Sequence, residues 1–214
     1  MAQIKLVVFD MDGTIIEPRS SWAMIHEHFG TDNTEMLQLY IDHKISDKEF
    51  VKADIQLWNN KSERLVDEKY INSILDKAKA RKGAEELITS LHENNIKTII
   101  LSGGIQYLAD KWAKKWNMNE ALANDLIDDE NGNLTAIINS SGHNKGPVME
   151  KMIEKYNCEK NEIAAVGDTI VDVPTFERAG LSIAVNTDDE RVISKANYHL
   201  KGDLTELKKL IINW

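Results

Sequence analysis

Short apolar runs alternate with longer amphipathic stretches along most of the chain. Four runs are strand-like: Ile4–Phe9, Thr98–Leu101, Ile163–Val166 and Leu181–Val185. Each ends in a polar or glycine-bearing segment: DMDGT, SGG, GDT and NTD. Short, continuous apolar runs suit strands buried on both faces. Between them the period lengthens. Ala84–Asn94 sets Leu87, Ile88 and Leu91 on one helical face, and Val148–Lys155 and Val173–Arg178 also read as helical. Strands alternating with helices predict an α/β fold, a three-layer Rossmann-like core with a parallel sheet.

Residues 20–78 break this alternation. SWAMIHEHF, TEMLQLYIDHK, KEFVKADIQLW and SERLVDEKYINSILDKAKA all carry helix-like patterns. They predict a small helical cap domain inserted after the first strand, at 17–79, with the core formed by 1–16 and 80–214. Such an insert hangs over the carboxyl edge of the sheet, where open α/β sheets bind ligands. Ser20-Ser21-Trp22 reads as the N-cap of the first insert helix. Trp22 and Trp58 read as core packing, with cap lining as the alternative. Trp112 and Trp116, four apart, pack one helix face.

Composition narrows the class. The 214 residues are 42% apolar and 29% charged, with a formal net charge of −9 and no basic block. Charge therefore gives no support to nucleic-acid or anionic-membrane binding. The single cysteine, Cys158, forms neither an internal disulfide nor a CxxC pair. No apolar run reaches the roughly 18 residues of a membrane span, and the N-terminal stretch lacks a leader pattern. The expectation is a cytoplasmic protein, monomeric or homodimeric, with no membrane partner.

The chemistry sits in the turns. Asp10 and Asp12 follow the first strand, Ser102-Gly103-Gly104 the second, and Gly167, Asp168 and Asp172 a third; Lys145 opens KGPVMEK. In a parallel sheet these groups converge at one edge. Carboxylates, a hydroxyl, free backbone N–H groups and an ammonium suit phosphoryl transfer with Mg²⁺. A carboxylate can attack phosphorus, and Ser102 with the next amides can hold phosphate oxygens. Singly, each residue has a plainer reading. DMDG can be a solvated turn, although DMDGTIIEPRSS lacks the glycine and final glutamate of a calcium loop. SGG can be a loop, Lys145 a surface lysine, and Asp172, before Val173-Pro174, an N-cap. His26, His28 and His43 show no metal spacing.

Taken in order, DMDGT (10–14), LSGG (101–104), Lys145 and GDTIVD (167–172) resemble the four motifs of the haloacid dehalogenase superfamily of aspartate-nucleophile phosphatases, over nearly the whole chain. The resemblance implies Asp10 as nucleophile and Asp12 as general acid/base. Thr14 would orient Asp12 or close the turn, beside the substrate. Ser102 and Gly103 would bind phosphate, and Lys145 would bridge nucleophile and phosphate. Mg²⁺ would be held by Asp10, the Asp12 carbonyl and Asp168, with Asp172 holding its water shell or Lys145. Asp12 argues against a dehalogenase, whose leaving halide needs no proton.

The chain is further similar to the phosphoserine phosphatases: the insert follows the first motif, the serine motif is SGG, and 121–139 is expected to form a hairpin turning at Asn131-Gly132. Three positions depart from that subgroup. Arg19 stands where an acidic residue meets the substrate amine, Leu57 where an arginine meets the carboxylate, and Val171 where an asparagine precedes the last aspartate. Arg19 favours an anionic substrate over an ammonium-bearing one. The expected function is Mg²⁺-dependent hydrolysis of a small phosphorylated metabolite, with Arg19, Trp22, Trp58 and Arg64 as cap contacts. The alternatives are phosphoserine itself, with Glu17 reading the amine, a phosphomutase, or a binding protein on the same fold.

Overall fold

The computed structural model describes residues 3–140 and 145–214. Among these residues, seven strands form one sheet in the order β4-β3-β2-β1-β5-β6-β7. They are β1 (Leu6–Phe9), β2 (Lys97–Ile105), β3 (Glu120–Asp128), β4 (Leu134–Ile137), β5 (Ile163–Gly167), β6 (Leu181–Val185) and β7 (Tyr198–Leu200). All pairings are parallel except β3 with β4. Strand alternation sorts the core into two layers. Val7 and Phe9 pack with Leu87, Ile88 and Leu108 on one face, and Leu6 and Val8 with Met149, Met152 and Phe176 on the other. The first layer is covered by α5 (Ala84–Glu93) and α6 (Gln106–Lys115), the second by α7 (Lys145–Tyr156) and α8 (Val173–Phe176). This is the three-layer arrangement the alternation predicts.

Four helices follow β1 before α5: α1 (Ser21–Phe29), α2 (Thr34–Ile41), α3 (Asp47–Lys61) and α4 (Glu68–Leu75). Ser20 caps α1, accepting from the Ala23 N–H at 3.2 Å. Ser46 and Glu49 form a capping box at α3. The entering and leaving chains meet at an antiparallel bridge between Ile16 and Ala80. The last insert helix is shorter than its sequence pattern, because Asp67 caps it from the Tyr70 N–H at 2.7 Å. Trp58 is fully buried, 6.3 Å from the Trp22 ring and 6.4 Å from Phe29. Trp58→Ala is expected to cost about 3–5 kcal/mol through cavity formation, read as a fall in the denaturant midpoint.

One sequence expectation changes and another is filled in. The SGG segment is not a loop after β2 but lies within it, where the pairing with β3 slips between Leu101 and Ile105. The bulge lets the strand continue while turning the Ser102–Gly104 backbone out of register. The hairpin over 121–139 forms with Asn131-Gly132 at its turn, which holds three residues. Gly132 N–H donates to the Asp129 carbonyl at 2.9 Å, and Gly132 takes the left-handed φ of +75°. A type I turn closed by a left-handed glycine explains this better than a two-residue Asn-Gly turn. Two further α-helical turns, α9 (Glu190–Ile193) and α10 (Leu207–Ile212), complete the fold. Among the described residues, no helix is long and apolar enough to cross a membrane.

Candidate active site

The chain turns sharply after β1. Gly13 adopts φ +73°, and a Cβ there would sit 2.2 Å from Asp168 Oδ2. Glycine is required both for the backbone and for the approach of this carboxylate. Thr14, fully buried, donates its hydroxyl to Asp168 Oδ1 at 2.9 Å. Of the two expectations for Thr14, the structure gives it Asp168 rather than Asp12 as the residue it orients, and it does not line the cavity described below. Arg81 clamps the same turn from the far end of the insert. Its Nη2 donates to the Gly13 carbonyl at 2.6 Å and its Nε to the Thr14 carbonyl at 3.0 Å. Nothing in the local sequence around Arg81 signals this role, since its partners lie more than sixty residues away.

Lys145 is buried with its ammonium between two carboxylates, donating to Asp10 Oδ1 and Asp172 Oδ1 at 2.6 Å each. Burial favours its neutral form, but the Asp10 and Asp172 charges outweigh this and hold its pKa above the usual lysine value. Asp172 also accepts from the Thr169 N–H at 3.0 Å and the Asp168 N–H at 3.1 Å, so it braces the β5 turn. Asp172 occupies the N-cap position of α8, but its side chain makes no cap hydrogen bond there and turns to Lys145 instead. Burial raises Asp10 well above the carboxylate range, with Lys145 opposing and Asp172 and Asp168 adding to the rise. Burial, then the Asp172 charge, pushes Asp168 up to about 7.

One oxygen from each of Asp10, Asp168 and Asp172 lies within 4.8 Å of the others, a group that could hold a metal ion. Three carboxylates against one ammonium leave a buried excess of negative charge. Hard oxygen donors with that excess fit a divalent cation such as Mg²⁺. The Asp12 carboxylate lies outside this group. Its Oδ2 accepts from the Ser21 N–H and hydroxyl, both at 2.7 Å, while its Oδ1 is buried with no partner among the described residues. Burial raises its pKa, and the two Ser21 hydrogen bonds oppose that. Ser21 therefore serves Asp12 while Ser20 caps the helix, a division the sequence pattern did not reveal. Gly104 permits it: a Cβ there would meet Asp12 Oδ2 at 2.6 Å. Ser102 is buried beside it, accepting from the Gly104 N–H at 3.2 Å. The Gly103 carbonyl is tied down by Trp22 Nε1 at 3.0 Å and Asn124 Nδ2 at 2.9 Å.

A cavity of about 680 Å³ opens between these groups and the insert. Asp10, Asp12, Ser102, Gly103 and Lys145 line its floor. Arg19 and Val171 line it as well, and Trp22 joins them while Trp58 stays in the core behind. Glu17, Leu57 and Arg64 do not line it. Arg64 instead sits 3.5 Å from the Tyr70 ring centroid. Of the expected cap contacts, Arg19 and Trp22 thus line the cavity, and Arg64, Trp58 and Glu17 do not. Sequence reasoning missed the pair in the far wall. Trp58 Nε1 donates to His26 Nδ1 at 3.3 Å, with Thr31 Oγ1 2.8 Å from the same nitrogen, so Nε2 is the nitrogen that donates to Asp54 Oδ1 at 2.9 Å.

A family model for haloacid dehalogenase-like hydrolases matches residues 4–180. The chain belongs to that family. Among its relatives, a phosphoserine phosphatase of Campylobacter jejuni subsp. doylei is 27% identical over 212 residues, covering 97% of this chain and 98% of the relative. A phosphoserine phosphatase of Archaeoglobus fulgidus is 29% identical over 189 residues, 86% of this chain; the chain spans only 53% of that relative's length. A solved substrate-bound phosphoserine phosphatase complex superposes with a TM-score of 0.80 at 24% identity, covering 99% of this chain and 100% of that one. At that identity the likeness is one of fold, and it carries the same α/β core.

Proposed function

We propose that this phosphatase of the haloacid dehalogenase-like hydrolases cleaves a small phosphate monoester through an aspartyl-phosphate on Asp10. The observation that carries the reading is Lys145, buried between Asp10 and Asp172 at 2.6 Å from each, on the floor of a cavity. Burying an ammonium with its carboxylates is costly and adds little stability over an apolar cluster, so its presence at a cavity floor points to a chemical role. Lys145 holds Asp10 in place and lends positive charge where the phosphoryl group arrives. The Ser102 hydroxyl and the Gly103 amide donate to phosphate oxygens.

In the first half-reaction an Asp10 oxygen bonds to phosphorus and the bond from phosphorus to the leaving oxygen breaks. Asp12, protonated at its unpartnered Oδ1, gives that proton to the leaving alkoxide. In the second, Asp12 takes a proton from water, the hydroxyl attacks phosphorus, and the Asp10 oxygen departs with inorganic phosphate released. Ser21 holds the Asp12 carboxyl in position throughout. Asp10, Asp168 and the Asp12 carbonyl would hold Mg²⁺, with Asp172 next to them; the ion would supply charge compensation for the phosphate. Residues 17–79 act as the cap, and 1–16 with 80–214 as the core. Release of inorganic phosphate from an aryl phosphate, with Mg²⁺ and with EDTA, tests this. Turnover is expected to vanish in EDTA and return with added Mg²⁺. Turnover that persists in EDTA would sink the metal assignment.

A further inference from the structure

The half of the cavity built by the insert is acidic and aromatic. Glu27, Asp32, Asp47 and Asp54 line it against a single cation among the described residues, Arg19. Trp22, Tyr40 and Phe50 line it too, with Tyr40 and Phe50 stacked at 5.0 Å and the Tyr40 hydroxyl donating to Asp47 at 2.8 Å. Asp54 is the decisive residue. Its side chain is 1% exposed; His26 and the Asn33 amide saturate Oδ1, but Oδ2 is buried with no donor among the described residues. A buried carboxylate oxygen without a donor costs free energy that a ligand donor recovers. The floor of the cavity has the opposite character, with the Lys145 ammonium and donors for phosphate oxygens. Arg19 alone pointed to an anionic substrate; its neighbours in space reverse that reading.

We infer that the leaving group carries an ammonium or quaternary ammonium charge, seated against Asp54 and the Trp22, Tyr40 and Phe50 rings. The inference rests on the phosphatase reading, with the phosphate on the floor and the cation in the insert. An ammonium supplies the donor that Asp54 Oδ2 lacks, and aromatic faces attract a cation that cannot donate. A carboxylate in the same place would face four acidic side chains and leave Asp54 unpartnered. A hydroxyl could satisfy Asp54 without answering the surrounding charge, so it is the fair competitor.

The test compares kcat/KM for 2-aminoethyl, 2-(trimethylammonio)ethyl, 2-hydroxyethyl and carboxymethyl phosphates, with Mg²⁺. The cationic esters are expected to exceed the hydroxyethyl ester by about ten- to hundredfold, the range of a charge-assisted hydrogen bond, with the carboxymethyl ester lowest. In Asp54→Asn the ratio of aminoethyl to hydroxyethyl should collapse by about tenfold. A ratio does not depend on the fraction of enzyme folded. Equal rates for charged and neutral esters in the wild type would overturn the inference. So would an Asp54→Asn variant that slows every ester in proportion, which would leave Asp54 only a support for His26. If no ester and no aryl phosphate is hydrolysed, the phosphatase reading fails on its own account. Calorimetric binding of 2-aminoethyl against 2-hydroxyethyl phosphate then decides the charge preference separately.

Discussion

Asp10→Asn is expected to lose at least about 10⁴-fold in kcat, because losing a covalent nucleophile removes the route rather than one stabilising contact. The substitution keeps the shape of the side chain and the Val166 carbonyl contact of its backbone N–H at 2.8 Å. It removes the attacking oxygen charge and one of the carboxylates grouped around the proposed metal. Lys145 keeps its second partner, Asp172, so the ammonium is not stranded. Near-native thermal unfolding together with lost phosphate release would separate chemistry from folding. Acid quench of the wild type with a radiolabelled phosphate ester should trap label on the protein, and Asp10→Asn should trap none. Label on the variant would move the nucleophile elsewhere.

Lys145→Met is expected to combine a large stability loss with a severe loss of rate. Removing one partner of a buried ion pair strands the other; such losses run to about 3–5 kcal/mol. Here Asp10 and Asp172 would face each other with no cation between them. The rate should fall by about 10²–10³-fold, the cost of removing one preorganised donor from a developing charge. The pH dependence has a definite sign. Burial holds Asp10 above its ordinary value, and without Lys145 the opposing influence is gone. A carboxyl whose folded pKa exceeds its unfolded value binds more protons when folded, so folding stability falls as pH rises between the two. In metal-free protein the deficit of Lys145→Met against wild type should therefore shrink as pH is lowered from neutral toward 5. A deficit that widens on acidification would contradict the buried-carboxylate account. Denaturant titrations at each pH measure it.

The legible part of the molecule was the local part. β1, β5 and β6 are continuous apolar runs, and the strand-to-turn transitions put Asp10 and Asp168 at one edge without reference to anything distant, whereas Ser102 lies inside β2, which runs on past the apolar run. Three of the four insert helices carry their own side-chain caps, at Ser20, Ser46 and Asp67, so they too could be read in place. β7 was missed because Tyr198–Leu200 is a short, mostly exposed edge strand with no apolar run.

The sequence by itself therefore determined the α/β order, the helical insert and the set of groups that reach the sheet edge. Periodicity, caps and motif spacing are properties of neighbours in the chain. The tertiary structure decided which groups meet. It gave Thr14 to Asp168, Ser21 to Asp12 and the Arg81 guanidinium to the Gly13 turn. It also turned Asp54 and its acidic neighbours onto the cavity that Arg19 lines and placed Arg64 on Tyr70. The direction of a side chain and the charge around it depend on how packed elements cross. Residue spacing along one chain does not contain that information.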